Sequence, residues 1–440
     1  MALIKVRSLY LLPDGATCPI VFLYAYDKIL MHSLAPSTTI IYTTIMNHCI
    51  ENPEIRNLLD RICQTIVDHG GYIDPQLTIR YEKDQFTMHQ SGEVSGEHLI
   101  KIPHDLLIPY HSVDLDVEGG KIIIADYDDS ITQAQKKIFE DVIALYNTTP
   151  IFENHYNNNP WLNYEKHHQI VALLLRGRSG KDLSVIRTML SDRDYKDELA
   201  LFTFFKKRII HTRINSRSGA ITEVVLPLIE FLRHHPAGAP YENLYGEDII
   251  GGQMAVRPAM PVPDSDECYT SYGHIDALEA YLHYGFVTQN VSFVRSVPLH
   301  IKVEGLGSFA VNANNIPLPA QDVPAHLQGL GHYLPQIKYF EQKNAVRLSH
   351  LIIPRANAPV SLKRVLREAI IAFGRDLDEA EIKAYIADGE QQLIEQNLAF
   401  YSELASLTAF SSASSPLVQD LERIIACQRH IIEFYQTNLM

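Results

Sequence analysis

Two aromatic-glycine pairs flank a short helical segment in the stretch ECYTSYGHIDALEAYLHYGFV, residues 267–287. The first pair is Tyr272-Gly273; the second is Tyr284-Gly285, with Phe286 directly after it. A tyrosine hydroxyl can orient an amine, and the faces of aromatic rings attract a cation. The segment between the pairs has the pattern of an amphipathic helix. We therefore expect it to fold back and present Phe286 beside Tyr272, while Tyr284 is interpreted as a core residue.

Other stretches that look like functional motifs lack the required spacing. In GRSGKD (177–182), two residues separate the glycines, where a phosphate-binding loop needs four and a Ser or Thr after the Lys. Ser95 lies one position too late for a nucleophile elbow. The histidine pairs at 167–168 and 234–235 lack the i, i+4 spacing that directs two imidazoles at one metal. No structural metal is expected.

Composition limits the classes of function. The 440-residue chain has 38 Lys and Arg and 52 Asp and Glu, a net charge of −14. This balance argues against general nucleic-acid binding, which depends on neutralising phosphates. No apolar run reaches the length of a membrane span. The five cysteines are scattered and form no CxxC pair, which is typical of reduced thiols. The sequence therefore predicts a cytoplasmic protein.

Hydrophobic periodicity predicts an α+β fold. Short β-like runs dominate the first part of the chain, apart from a helix that ends at Gly70-Gly71. A helical insert and a helical C-terminal region are also predicted. The predicted divisions are a strand-rich extension (1–56), a β-rich domain (57–130 and 211–295), the helical insert (131–210), a connection (296–340) and an all-helical domain (341–440). Within the connection, VPLHIKVEG (297–305) is predicted as a strand and residues 311–331 as loop-rich.

The Tyr-Gly segment resembles SET-domain protein methyltransferases of the Rubisco large-subunit lysine and actin-histidine methyltransferase type. In that family SYG is followed by a helix and HYGF, and this chain has SYGHIDALEAYLHYGF. Four more segments are similar to family motifs in the same order: DHGGYIDPQLTIRY (68–81), SGEHLIKIPHDLLI (95–108), FFKKRIIHTRI (204–214) and VVLPLIEFLRHH (224–235). The order is specific, although each motif alone is weak. The resemblance covers about residues 57–440 and implies a SET-type domain followed by a helical substrate-binding domain.

The resemblance also implies a cofactor, a partner and site residues. The cofactor is S-adenosyl-L-methionine, and the partner is a protein substrate. Tyr272 takes the position of the catalytic tyrosine, and Phe286 that of the aromatic residue beside the cofactor. The remaining positions, which contact the cofactor or support the site, are taken by Glu97, Arg213, Glu230, Arg233 and His234.

Three departures from the family's pattern affect the cofactor site. The region YEKDQFTMHQSGEV (81–94) has no GxG turn, Arg233 replaces an asparagine whose amide contacts the cofactor, and Ala277 replaces another asparagine. A guanidinium facing a sulfonium is unfavourable unless Glu230 or Glu97 compensates its charge. Otherwise Arg233 is a surface residue beside a locally shifted alignment.

Two classes of function follow. The first is an S-adenosylmethionine-dependent methyltransferase that acts on a protein lysine, or else on a histidine. The second is a catalytically inactive or repurposed SET-like protein that acts as a binding module, which the missing GxG turn and Arg233 favour. A Tyr272→Phe substitution separates them, because only a methyltransferase would lose turnover.

Overall fold

The computed structural model describes residues 47–90, 96–191, 195–214, 221–245, 252–258, 265–288, 291–314, 316, 318–328, 330–355, 360–409 and 415–438. Most of the predicted N-terminal extension, residues 1–46, lies outside this part of the chain. So do residues 91–94, where part of the family's GxG turn was sought.

The first described region is rich in short strands. It begins with β1, which pairs in parallel with β3, and β3 forms a hairpin with β4. Asn52 accepts hydrogen bonds from the first turn of α1, and Gly70, with φ of +80°, follows the last turn, as the glycine stop predicted. The elements are β1 (Asn47–Cys49), α1 (Pro53–Asp68), β2 (Tyr72–Ile73), β3 (Leu77–Glu82), β4 (Gln85–Gln90), β5 (Ile100–Pro103), β6 (Ile108–Pro109), β7 (Val113–Glu118) and β8 (Lys121–Tyr127).

Helices follow where the insert was predicted. Thr132 and Gln135 form a capping box at the start of the first of them. Arg61 of α1 donates to Asp141 of that helix at 2.6 Å, and so ties the insert to the β-rich region. The helices are α2 (Gln133–Thr148), α3 (Ile151–Asn158), α4 (Tyr164–Gly177), α5 (Lys181–Met189) and α6 (Lys196–Lys206).

Strands return after the insert and carry the sequence motifs of interest. β9 and β6 flank β10 in one sheet, and a second sheet has the strand order β12-β13-β5-β2. The elements are β9 (Ile209–Thr212), β10 (Thr222–Val225), β11 (Arg233–Ala239), β12 (Tyr241–Tyr245), β13 (Gly252–Val256), β14 (Tyr269–Thr270) and α7 (Ala277–Glu279), which continues as a π-helical turn over Ala280–Tyr284.

The C-terminal region contains more strand than predicted. Its elements are β15 (Phe293–Arg295), β16 (Leu299–Val303), β17 (Gly307–Val311), β18 (Ile337–Phe340), β19 (Ala345–Leu348), β20 (Ile352–Pro354), α8 (Leu362–Ile371), α9 (Glu379–Ala409) and α10 (Pro416–Asn438). The strand predicted at VPLHIKVEG is β16, and the connection also provides β17 and β18 of a sheet of order β16-β17-β19-β18. The helical part accordingly begins at Leu362 rather than near residue 341.

The α+β prediction is confirmed, with a helical insert and a helical C-terminal region. Within the described residues, no helix is long and apolar enough to cross a membrane. Nor do His, Cys, Asp and Glu side chains of this part of the chain form a group that could hold a metal ion.

Candidate active site

A short parallel strand pair fixes the first half of the site. In the β11–β14 pairing, Arg233 lies opposite Tyr269 and His234 lies opposite Thr270. Tyr272 follows β14 by two residues, and its backbone N–H donates to Nδ1 of His234 at 3.0 Å. The two sequence motifs that carry His234 and Tyr272 are therefore joined directly.

The helix after Tyr272 folds back, as the sequence predicts. Asp276 caps the start of α7, and Gly285, with φ of +70°, ends the π-helical turn that follows. The ring centroids of Tyr272 and Phe286 are 6.2 Å apart. Tyr284 does not pack away in the core as expected: its ring lies 4.9 Å from that of Tyr272 and faces the same space.

Two cavities meet at these aromatic rings. The larger has a volume of about 540 Å³, and Arg233, His234 and Phe286 line it and not the smaller one. The smaller has about 380 Å³, and its own lining includes Ile210, Tyr241, Asn243 and Met254. The residues that line both are Lys207, Arg208, Glu230, Tyr272 and Tyr284. We refer to these five residues as the shared wall.

Tyr272 is held as a protonated, oriented phenol. Its hydroxyl donates to the backbone oxygen of Leu232 at 2.8 Å. Burial, with the neighbouring Tyr284, raises the pKa of Tyr272 far above its usual range. The hydroxyl hydrogen is thus occupied, and the oxygen lone pairs remain able to accept a hydrogen bond from a ligand.

Arg208 and Glu230 form the charged part of the shared wall. Nε of Arg208 lies 3.3 Å from Oε2 of Glu230, and the guanidinium stacks 3.6 Å from the ring centroid of Phe204. Burial raises the pKa of Glu230 to about 7, against the opposing effect of Arg208. Oε2 of Glu230 is buried, and its charged partner is Arg208. A carboxylate oxygen can accept more than one hydrogen bond, so a ligand could donate to it as well.

Arg233 is neutralised by a residue that sequence reasoning did not select. Its guanidinium binds both carboxylate oxygens of Glu267, and the Tyr269 hydroxyl donates to the same carboxylate at 3.0 Å. The hydrogen bond to Glu267 raises the pKa of Arg233. The compensating carboxylate is therefore Glu267, whereas Glu230 or Glu97 had been expected.

His234 is a neutral imidazole between the aromatic rings. Its ring centroid lies 5.3 Å from that of Tyr272 and 5.7 Å from that of Phe286. Burial, with the neighbouring His235, lowers the pKa of His234 to about 4. Because Nδ1 accepts from the backbone of Tyr272, the neutral ring carries its proton on Nε2.

Two of the predicted site residues lie away from these cavities. Glu97 and Arg213 are exposed, and neither belongs to the lining of the two cavities. Their cofactor-binding roles stay predictions. Arg208, five residues before Arg213 in the same motif, lines both cavities instead.

Sequence reasoning missed Lys207 and Arg208, although both lie inside a motif that it quoted. FFKKRIIHTRI contains two arginines, and the spacing alone did not decide between them. One signal could have identified them. Lys207 and Arg208 are the two residues between the apolar helix α6 and the strand β9, where the chain re-enters the β-rich domain.

Comparison with known proteins gives structural similarity only. No protein-family model matches the chain, and no curated protein matches it. The SET domain of LSMT bound to lysine and AdoHcy is similar at 10% identity and a TM-score of 0.40, over 87% of this chain and 92% of that one. The same domain bound to methyl-lysine and AdoHcy gives 13% and 0.39 over the same shares. Rubisco LSMT bound to AdoMet gives 12% and 0.38, again over 87% and 92%. At these values, function has to be argued from the cavities themselves.

Proposed function

We propose that the chain is an S-adenosylmethionine-dependent methyltransferase that acts on a lysine side chain of a protein, with histidine as the next choice of acceptor. The observation that carries this proposal is the pair of cavities with one shared wall. Methyl transfer is an in-line displacement, so donor and acceptor must approach one point from opposite sides. Two cavities that meet at oriented aromatic rings provide such a point.

The larger cavity suits the cofactor. Its volume of about 540 Å³ falls in the usual range for small-molecule sites. The rings of Tyr272, Tyr284 and Phe286 offer faces that attract a sulfonium cation. Arg208 can bind the cofactor's carboxylate, and the Glu230 carboxylate can accept from its amino group. When bound, S-adenosylmethionine supplies an electrophilic methyl group.

The smaller cavity suits the acceptor side chain. Ile210, Tyr241 and Met254 make much of its lining apolar, and removal from water favours the neutral, nucleophilic form of a lysine amine. Because the Tyr272 hydroxyl donates to Leu232, its oxygen can accept an N–H of the amine and orient the nitrogen. Tyr272 acts here by position; as a protonated phenol it is not the base.

Cofactor binding and turnover of a Tyr272→Phe variant test this proposal. We expect S-adenosylhomocysteine to bind wild type and variant alike in calorimetry, because the ring remains. We expect methyl incorporation into proteins of a lysate, followed with isotopically labelled S-adenosylmethionine, to fall by about tenfold or more in the variant, because the hydroxyl that orients the amine is lost.

The same experiment identifies the alternative. Absence of binding by either cofactor form would contradict the proposal and favour the catalytically inactive, SET-like binding module. Binding with unchanged incorporation in Tyr272→Phe would retain the methyltransferase and remove Tyr272 from the chemistry.

A further inference from the structure

Lys207 places an amine in the shared wall, where the proposed function has no use for one. The residue follows α6 directly, and its side chain lines both cavities. Nζ lies 3.4 Å from Nδ1 of His155 on α3. Ile151, one helical turn before His155, lines the larger cavity. Lys207 therefore lies at the border of that cavity, with its amine next to His155.

The turn that carries the aromatic rings packs against the same amine. A side chain at Gly285 would collide with Nζ of Lys207, so the backbone there closes one side of the amine. Tyr284 and Phe286, on either side of Gly285, both line the larger cavity. Lys207 also lines a third, small cavity of about 20 Å³, together with Gly285. Of these spaces, the two that meet at the shared wall, of about 380 and 540 Å³, are the ones large enough to admit a cofactor or a substrate side chain.

The surroundings of Lys207 favour a neutral amine. Among the described residues, no carboxylate forms an ion pair with Lys207. The polar atom next to its Nζ is Nδ1 of His155. Burial and the adjacent Arg208 lower the pKa of Lys207 to about 7. A lysine amine in this state is a nucleophile at neutral pH.

Lys206, the preceding residue, has the opposite environment. Its ammonium lies 3.1 Å from a carboxylate oxygen of Asp182 and 3.3 Å from one of Glu223. It lines neither of the two cavities. The chain thus contains a matched control lysine beside the candidate.

We propose that Lys207 is an internal methyl acceptor, so that the chain methylates its own active-site wall. This inference rests on the proposed function. The Nζ lone pair forms a bond to the sulfonium's methyl carbon, the carbon–sulfur bond breaks, and its electron pair stays on sulfur, which leaves a neutral thioether. The methylated nitrogen then releases one proton to water.

Such a modification would regulate the site. Because Gly285 closes one side of the amine, the added methyl group would extend towards the cavities. It would narrow the space next to Tyr272 and Tyr284 and slow the entry of an external substrate. An enzyme without an external acceptor would in this way reduce its own activity.

Peptide mass spectrometry of the full chain tests the transfer. After incubation with S-adenosylmethionine at neutral pH, we expect the Lys207 side chain of the wild type and of Lys206→Arg to gain one methyl group. Lys207→Arg should gain none at this position. The rate per molecule should be independent of protein concentration, because an enclosed amine reacts within its own chain.

A second readout needs no methyl transfer. Formaldehyde with cyanoborohydride, a small amine-directed probe, should label Lys207 faster than Lys206 in the wild type at neutral pH. Prior addition of S-adenosylhomocysteine should slow the labelling of Lys207 and leave that of Lys206 unchanged. This measurement also covers the case in which Lys207→Arg fails to fold.

The outcomes separate this inference from the proposed function. If S-adenosylhomocysteine binds in calorimetry but Lys207 gains no methyl group, or another lysine gains it instead, the inference is wrong while the proposed function stands. If neither cofactor form binds, both are wrong.

Discussion

Arg208 and Arg213 have similar positions in the sequence and different positions in space. Arg208 faces the shared wall beside Glu230, whereas Arg213 is exposed. We expect Arg208→Lys to weaken binding of S-adenosylhomocysteine by about tenfold to a hundredfold, since a hydrogen bond to a charged group contributes about 1.5–3 kcal/mol. The lysine keeps a positive charge beside Glu230, so the loss reports guanidinium geometry. Calorimetry measures it.

Arg213→Lys is the matched control and should leave the affinity unchanged. The reverse result, with Arg213→Lys weakening binding and Arg208→Lys neutral, would restore the alignment that the sequence suggested and place the cofactor elsewhere.

Individual site residues were predictable where they belong to an unusual local pattern of residue types. Tyr272 and Phe286 stand out because two aromatic-glycine turns bracket one helix, and the structure brings their rings together. Glu267 was not predictable as the partner of Arg233, because the pairing depends on the β11–β14 register. Tyr284 was taken for core, because a helical tyrosine has the same pattern whether it faces protein or a cavity.

At the scale of elements, a buried ionic network holds α7 in place. Arg178, which follows α4, pairs with Asp276 at the start of α7. Arg295 of β15 pairs with Glu279 at 2.6 Å. All four side chains are almost completely buried. The network therefore connects the helical insert to the helix that presents Tyr284 and Phe286.

Asp276→Asn should strongly destabilise this arrangement. Asparagine caps a helix about as well as aspartate, so the change removes charge rather than the cap. Arg178 would then be a buried charge without its partner, which costs about 3–5 kcal/mol. Thermal and denaturant unfolding should show a clearly lower midpoint. Glu433→Gln, in the exposed pair with Arg429, is the control and should unfold like the wild type; equal midpoints for both variants would show that the network contributes nothing.

Helices were more predictable than strands, for reasons visible in particular segments. The stripe of Leu58, Leu59, Ile62 and Ile66 predicts α1, and all four are buried. By contrast, β17 and β19 are parallel partners separated by more than thirty residues of chain. Four-residue strands with distant partners leave little periodic signal, which is why β18 and β19 were missed although the strand at VPLHIKVEG was predicted.

At the scale of the whole molecule, the order of the regions was predictable from the sequence, but the contacts through which they pack together were not. A β-rich domain interrupted by helices follows from where the hydrophobic period changes. The joints depend on contacts that no local pattern shows, such as Asn397 of α9, which accepts at 3.0 Å from the backbone of Val297. Buried polar groups of this kind specify how the helices dock.

Acid should destabilise the molecule as a whole, because the folded protein keeps several buried histidines neutral. Burial lowers the pKa of His234 to about 4 and the pKa values of His332 and His350 to about 3. The same rings titrate near 6.5 in an unfolded chain. As the pH falls below about 6.5, these histidines bind protons in the unfolded state but not in the folded state. This stability is therefore complete above that pH and lost progressively down to about pH 3.

Glu230 has the opposite effect, since its pKa is raised to about 7 in the folded state. Protonation of this carboxyl group favours the folded state as the pH falls from about 7 to the pKa that glutamate has in the unfolded chain. Among the described residues, six histidines have a lowered pKa, whereas four carboxyl groups have a raised pKa, and we expect the histidines to dominate. We expect the midpoint of thermal unfolding to fall between pH 7 and pH 5, and to fall less in a His332→Gln, His350→Gln double variant. His350 is held in the folded state by hydrogen bonds at both ring nitrogens. Nδ1 lies 3.0 Å from the Ser349 hydroxyl, and Nε2 lies 2.9 Å from the backbone oxygen of His332. An identical acid slope in the double variant would mean that these two rings take up protons as readily in the folded state as in the unfolded one.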